Sequence, residues 1–415
     1  MRYVHRALEP HLTKLVKQFP AVAVTGPRQC GKSTLLKAMF SATHRYVTFD
    51  DPLTREQALA DPKLFLETAG ESVILDEIQY VPELLSYVKL AIDADRHRAG
   101  RFLVTGSQQF AMIKHLGDSL AGRIALLELL PFHVEEQQRI ARLKRALASP
   151  LGAFVHACVV GSYPEVSLQS RLNRQAWYGS YVRTYLERDV RTIYNIGDLR
   201  AFQQFLQLLA SRTAQLLNLT ALSRELGIGV NTVKRWLSIL EASRMLYLLP
   251  PYYRNFGKRI TKAPKVYFLD CGLVCYLTGI RHRAHLLHGP MAGALFETYC
   301  IQETVKTCFF HGMPLRLYYV RSHNGVEVDL LIEHNAQLFP YEIKLTKTPR
   351  LAMADSIRRF KALFPKLPVR AGGMLCLAEE RAPLSKDVRI QPLAEYWQWL
   401  RACAASPDRE GKVAT

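Results

Sequence analysis

Over the first third of the chain, short apolar runs alternate with stretches of helical periodicity. Leu8, Leu12, Leu15, Val16 and Phe19 fall at helical spacing, so a helix leads into a first strand at Ala21–Val24. Thr34–Met39 reads as the next helix. Arg45–Pro52 is a strand closed by acids and proline, Leu53–Thr68 a pair of helices broken at Asp61–Pro62, and Ser72–Glu77 an apolar strand ending in two acids. Arg101–Ser107 and Ile124–Leu129 are further buried strands. Strands alternating with helices predict a parallel α/β sheet whose ligand lies at the strand C-termini.

The pattern then changes. Residues 130–200 are helical, running through Pro150 and the turn Gly161–Glu165. Leu206, Leu208, Leu209, Leu216 and Leu217 mark one helix, and Thr220–Leu226 a second with Thr220 as its cap. After the turn Gly227–Gly229 comes a third helix, Val230–Leu240, whose inner face is Val233, Trp236, Leu237 and Leu240. Leu246–Leu249 and Lys265–Leu269 are strands, and Asp270 reads as the N-cap of the next helix. Gly293–Glu303 is a helix and Tyr318–Arg321 a strand. Glu327–Glu333 and Phe339–Leu345 form a hairpin around His334–Gln337. Alternation puts Val328, Leu330, Ile332, Tyr341, Ile343 and Leu345 on one face and Glu327, Asp329, Glu342 and Lys344 on the other. Helix, strand and helix (Met353–Leu363, Gly373–Leu377, Leu393–Ala402) close a last α/β unit.

These elements divide the chain into a parallel α/β core at 1–135, a helical lid and connector at 136–200, a winged helix at 201–290, an α/β domain at 291–400 and a disordered tail at 401–415. Composition changes this picture in one respect. The 415 residues carry a formal net charge of +19, which points to a polyanionic partner, above all nucleic acid. The eight cysteines form no C-x-x-C, so neither a zinc site nor a disulfide framework is indicated, and their usage suits a reducing cytosol. Met1–Arg6 has no apolar segment behind it, so no signal peptide is expected, and no apolar run approaches membrane-spanning length. The expected location is cytoplasmic, with no membrane partner.

The chemistry begins at Gly26-Pro27-Arg28-Gln29-Cys30-Gly31-Lys32-Ser33, with Thr34 next in the chain, which fits G-x-x-x-x-G-K-[ST] between a strand and a helix. Backbone N–H groups and the helix N-terminus then face phosphates, and Gly26 and Gly31 permit the tight path. Lys32 would reach the β- and γ-phosphates and Ser33 would hold Mg²⁺. Asp76 would bind the Mg²⁺ water shell and Glu77 would polarise the attacking water. ATP and Mg²⁺ are the cofactors this implies. Thr105 and Ser107 lie at the polar end of their strand, where a sensor of the γ-phosphate would sit. Arg123, after the Gly122 turn, is a candidate cation for the transition state. Arg188 is its competitor, supplied from a neighbouring subunit if the chain forms a homo-oligomer.

The phosphate loop, Ile74-Leu75-Asp76-Glu77-Ile78-Gln79, Leu103-Val104-Thr105-Gly106-Ser107-Gln108 and Ser119-Leu120-Ala121-Gly122-Arg123 together resemble a group of prokaryotic AAA-type ATPases. In that group a domain of uncharacterised function lies C-terminal to the ATPase core. The resemblance runs from about Arg6 to about Leu393. By motif order it implies Lys32 and Ser33 as Walker A residues, Asp76 and Glu77 as Walker B residues, and Ser107 as the sensor. Tyr163-Pro164-Glu165 resembles a further segment of the group.

Two more constellations lie downstream. Helix, glycine turn, helix and two strands read as a winged helix. Asn231, Thr232, Lys234 and Arg235 would face a DNA groove, and a basic wing holding Arg254, Lys258, Arg259, Lys262 and Lys265 would meet phosphates. In the last domain, Asp329 lies across from Glu342 if the hairpin loop is symmetric, with Lys344 two residues on and Glu297 on a preceding helix. That set resembles the core of PD-(D/E)xK restriction-type nucleases, in which carboxylates bind Mg²⁺ and a lysine positions water. Glu327 would sit across from Lys344 as a competing ion pair. Three functions fit: an ATPase acting on DNA, an ATP-gated nuclease, and a P-loop switch whose C-terminal part binds protein.

Overall fold

The computed structural model describes residues 3–106, 120–185, 198–253, 263–322 and 325–405. They fall into two units. One comprises residues 1–132, 163–168 and 242–244; the other holds 133–162, 169–241 and 245–415. The helical segments expected as lid and connector thus belong mostly to the second unit.

The first unit is built on five parallel strands: β1 (Ala21–Thr25), β2 (Arg45–Thr48), β3 (Val73–Asp76), β4 (Phe102–Gly106) and β5 (Ile124–Glu128), in the order β2-β3-β4-β1-β5. Burial explains the order. β1, β3 and β4 are buried at every position, so they take the interior of the sheet, where both faces are covered. β2 and β5 are only partly covered and form the edges. Polar groups gather at one end. Thr25 pairs with Gly106 on one side and Glu128 on the other, and Asp76 and Thr105 lie at the same end of their own strands. The helix Lys32–Phe40 starts at Gly31, whose left-handed φ of 93° a β-carbon would oppose. The helices Pro52–Ala60 and Pro62–Ala69 are separated by Asp61, which caps the second through its bond from the Leu64 N–H.

In the second unit, helices Leu199–Ser211, Leu219–Leu226 and Val230–Ala242 precede an antiparallel ribbon of β6 (Leu246–Leu249) and β7 (Lys265–Phe268). Trp236 packs against Phe202 and Phe205, with ring centroids 5.1 and 5.6 Å away. Two expectations are corrected here. Asn218, not Thr220, caps the second helix, accepting from the Ala221 N–H at 3.0 Å. Leu216 and Leu217 lie beyond the first helix, which ends before Ala214 at φ 63°. The stretch from Ala214 to Leu217 instead joins the ribbon, through Ala214 N–H to Val266 O and Leu217 N–H to Pro264 O. Most of the expected wing, with Arg254, Lys258, Arg259 and Lys262, lies outside the described residues.

The helix Ala292–His311 leads to a six-stranded sheet of β8 (Leu317–Arg321), β9 (Glu327–His334), β10 (Gln337–Ile343), β11 (Gly372–Cys376), β12 (Ala382–Pro383) and β13 (Val388–Pro392), ordered β12-β13-β11-β10-β9-β8. β9 and β10 form a hairpin whose turn residues Asn335 and Ala336 both have positive φ. Strict alternation fails in β9. Tyr318 faces Leu331 and Val320 faces Val328, so three steps of β9 oppose two of β8. Val328 consequently packs with Leu331 and Leu338, not with Leu330 and Ile332. Leu345 falls beyond the end of β10. The last helix, Leu393–Ala405, overruns the boundary expected for a disordered tail, because Leu400 and Cys403 continue its buried face. Residues 406–415 lie outside the described residues.

Candidate active site

The loop from Gly26 to Ser33 wraps the C-terminal end of β1. At Gly26, with φ 139°, an added β-carbon would stand 2.0 Å from the carbonyl oxygen of Leu129, so no other residue fits. Pro27 and Cys30 are buried, Arg28 is half-buried, and Gln29 and Thr34 are exposed. Lys32 is buried, and its Nζ donates to the carbonyls of Gly26 (3.1 Å) and Pro27 (3.0 Å).

Ser33 Oγ donates to Asp76 Oδ1 at 2.7 Å. Thr105 Oγ1 donates to the same oxygen, and the Tyr46 hydroxyl to Oδ2 at 2.6 Å. Burial, then the Asp76 carboxylate, push the Tyr46 hydroxyl well above its ordinary range, so it stays a donor. Glu77 comes next in a left-handed conformation (φ 57°), with its N–H on Thr105 Oγ1 and its carboxylate accepting from Gln79 Nε2. The strands therefore bring together a hydroxyl, a buried carboxylate and a second, half-exposed carboxylate. Oxygen donors of this kind suit Mg²⁺ with retained waters.

Two residues outside the motifs shape this site. The Arg6 guanidinium, buried against the Phe132 ring, donates to Cys30 O at 2.8 Å and Leu130 O at 2.7 Å. Pro164 approaches Gly31, its Cγ 3.9 Å from where a β-carbon there would be. The Tyr163-Pro164-Glu165 segment thus lies beside the phosphate loop, a placement no residue in it announces.

Arg123 is not near the loop. It forms a two-point ion pair with Asp93, at 2.7 and 3.0 Å. Its carbonyl accepts from Ala21 N–H, at the start of β1. A residue just before a parallel strand sits at the opposite end of the strands from a loop just after one, here about 16 Å away. Arg123 cannot act on phosphates bound to its own chain. Ser107 and Arg188 lie outside the described residues.

The second constellation is drawn together in the C-terminal unit. Lys344 Nζ lies 3.0 Å from Asp329 Oδ2 and 2.9 Å from Glu342 Oε2. Asp329 also accepts from the Ile343 N–H. Asp329 and Glu342 are buried, whereas Glu327 and Lys344 on the same face are half-exposed. Glu297 joins through Lys265, whose Nζ is 3.0 Å from Glu297, 3.2 Å from Glu327 and 3.7 Å from Asp329. This corrects two readings. Lys265 is 4% exposed and belongs to the acid cluster, not to a basic wing that meets phosphates. Glu327 pairs with Lys265 and not with Lys344. Of the helix proposed to meet DNA, Asn231, Lys234 and Arg235 are exposed and Thr232 is half-buried.

Burial, then the Asp329 carboxylate, push the Glu342 carboxyl up to about 8. Burial also raises Asp329, but the Lys344 and Lys265 ammonium groups hold it below the usual range. The folded chain therefore keeps a proton on Glu342 that the unfolded chain releases near 4.5. Its contribution to stability is complete below that value and is lost as pH rises through about 8. Thermal melts between about pH 5 and 9 should show this decline, and Glu342→Gln should flatten it. Equal slopes in the two proteins would count against the assignment.

Residues 18–138 match the family model of an AAA domain. Residues 151–284 and 292–396 each match a domain of unknown function (DUF8612 and DUF4143). An uncharacterized protein of Mycobacterium tuberculosis is 29% identical over 383 residues, 92% of this chain and 82% of its own length. An uncharacterized protein of Methanocaldococcus jannaschii is 22% identical over 357 residues, 79% and 76% of the two chains. Among solved structures, a Walker-type ATPase of Pyrococcus abyssi is similar at TM-score 0.43 and 14% identity, over 65% of this chain and 94% of that one. The RuvB Holliday junction branch migration motor of Thermotoga maritima is similar at TM-score 0.30 and 17% identity, over 59% and 89%. Residues 18–138 thus form a P-loop AAA-type domain, the class that binds and hydrolyses ATP. Among the described residues no helix is long and apolar enough to cross a membrane.

Proposed function

We propose that this chain is a Mg²⁺-dependent ATPase whose nucleotide state governs the grip of a winged-helix module on DNA. The observation that carries the first half is the contact of Ser33 with Asp76, beside a Lys32 that donates to loop carbonyls. Lys32 binds the β- and γ-phosphates. Ser33 and Asp76 hold Mg²⁺, which neutralises phosphate charge when bound. Glu77 orients the attacking water, and Ser107 senses the γ-phosphate. With Arg123 held by Asp93, Arg188 of a neighbouring copy is the remaining candidate for the transition-state cation.

DNA coupling is supported by the net charge of +19 and by Asn231, Lys234 and Arg235 on the outer face of the third helix. A nuclease-like second reading is favoured by one observation, the convergence of Asp329, Glu342 and Lys344. The decisive experiment measures ATP turnover with single-stranded, duplex and branched DNA. At least one form should change the rate, and binding should weaken steeply with salt as counterions are released. Lys234→Glu with Arg235→Glu should weaken binding further. If the double variant binds DNA as well as the parent, the helix is a protein-contact surface and the switch reading replaces this one.

A further inference from the structure

Lys265 is an unusual member of its cluster. It is the first residue of β7, paired in register with Leu249 of β6, and its side chain leaves the ribbon to enter a group of carboxylates. Its Nζ donates to Glu297 Oε1, which also accepts from the Tyr267 hydroxyl at 2.5 Å, and it lies within ion-pair distance of Glu327 and Asp329. Lys344 serves the other oxygens, Asp329 Oδ2 and Glu342 Oε2.

The two lysines do not satisfy the cluster. Glu342 is 3% exposed, yet its Oε1 is buried with no hydrogen-bond partner. Glu297, Glu327, Asp329 and Glu342 set four carboxyl groups against two ammonium groups, and the Glu327 side chain, 42% exposed, is the one that reaches solvent. A buried acceptor without a donor is costly. Exchanging Lys265 for a divalent ion would move the balance one charge nearer neutrality. The donors are all oxygens, the set preferred by hard cations. They lie 3.0–3.7 Å from the ammonium nitrogen, so a metal in that place needs them to close in by about an ångström. Among the described residues, no group of three or more His, Cys, Asp or Glu side chains is arranged to hold a metal as it stands.

We propose that this cluster is a divalent-cation site held shut by Lys265, with the ammonium group and a hard cation as alternative occupants of the same carboxylates. It rests on the nuclease-like reading only for what an admitted ion would do, not for whether one is admitted. The Lys265 side chain is then a plug carried on the ribbon. Any metal-dependent chemistry at Asp329 and Glu342 requires the start of β7 to withdraw.

The test uses the full chain without nucleotide, in an Asp76→Asn background that removes the metal ligand at the ATP site. Mn²⁺ binding is followed by electron paramagnetic resonance of the free ion. The background protein should bind no Mn²⁺ that Asp329→Asn removes. Adding Lys265→Met should create one site per chain, at least about ten-fold tighter than any residual binding there, since a buried unit charge is withdrawn from the ion's place. Asp329→Asn should abolish it again. Lys265→Gln repeats the experiment with a polar side chain should the methionine variant not fold, and Lys265→Arg should keep the site closed. An Asp329-dependent Mn²⁺ site in the background protein with Lys265 intact, or a folded Lys265→Met or Lys265→Gln protein with no new site, overturns the proposal. The nuclease reading fails separately. A Mn²⁺ site gained without cleavage of any DNA sinks that reading and leaves the plug standing, whereas cleavage by the parent that is lost in Asp329→Asn sinks the plug and leaves the nuclease.

Discussion

Replacing Lys32 with alanine is expected to remove ATP binding. Replacing Glu77 with glutamine is expected to leave binding intact and slow hydrolysis by about 10²–10⁴-fold, the usual contribution of a positioned general base. The difference comes from geometry. Lys32 is buried inside the loop and donates to carbonyls, so its charge is available to phosphate oxygens and to little else. Removing it leaves the loop's N–H groups but takes away the cation. Glu77 is half-exposed, comes after Asp76 in a left-handed bend, and is held by Gln79 and by the bond from its N–H to Thr105. None of these contacts is with the phosphate loop, so its neutral isostere should still admit nucleotide. Binding of a fluorescent ATP analogue and release of inorganic phosphate separate the two steps. Undiminished turnover in both variants would mean that the nucleotide chemistry lies elsewhere.

Glu303→Leu should destabilise the second unit by about 3–5 kcal/mol, the range for removing one partner of a buried ion pair. Glu303 is enclosed on the helix Ala292–His311. Its Oε1 accepts from Lys306 Nζ at 2.8 Å and from Gln302 Nε2 at 3.2 Å; its Oε2 accepts from the Val134 N–H at 2.7 Å and lies 3.3 Å from His133 Nε2. Lys306 in turn donates to Ser162 Oγ, and Ser162 donates through both its N–H and its hydroxyl to Asp270. Asp270 is an N-cap, as its sequence position suggests, but it also accepts from Tyr178, so it is a node of this network. Leucine at 303 would strand the Lys306 charge and the Val134 N–H together. Chemical denaturation at neutral pH measures the loss, and a cost under about 1 kcal/mol would show that water reaches the network. Burial alone would raise the Glu303 carboxyl, but Lys306 and His133 hold it below its ordinary 4.5. Its stabilisation is therefore present above that value and lost as pH falls through the lower, folded one, opposite in sign to Glu342.

How much of this was legible depended on whether neighbours in space were also neighbours in pattern. The ATPase sheet could be read because its interior strands are apolar on both faces and end in polar residues, so Val73–Asp76 announces both its burial and its chemistry. The helices and ribbon of residues 199–268 could be read from Trp236 and its helical spacing. Arg123 was misplaced although the means to place it were present: it precedes its strand, whereas the phosphate loop comes after one. Asp329 and Glu342 could be aligned by counting around a symmetric turn, but the irregular register against β8 that breaks the alternation of β9 leaves no mark on residue type. Lys265 was hidden by company. It closes a basic stretch whose composition reads as a phosphate-contacting wing, whereas β7, which it opens, is buried at every position. Arg6 had no motif at all, since its guanidinium reaches backbone carbonyls.

That last residue bears on how the protein is handled. Arg6 lies before the first helix, and one guanidinium joins the phosphate loop at Cys30 to the chain leaving β5 at Leu130. The stretch ahead of the first helix is therefore a fastener of the nucleotide pocket. Its own backbone N–H is held by Glu9, which also accepts from the Tyr3 hydroxyl. An expression clone begun a few codons late, or a protease that nips the chain ahead of Ala7, would yield a protein with every Walker residue intact and a slack pocket. Preparations of this ATPase domain should keep Arg6 and carry any affinity tag at the other end.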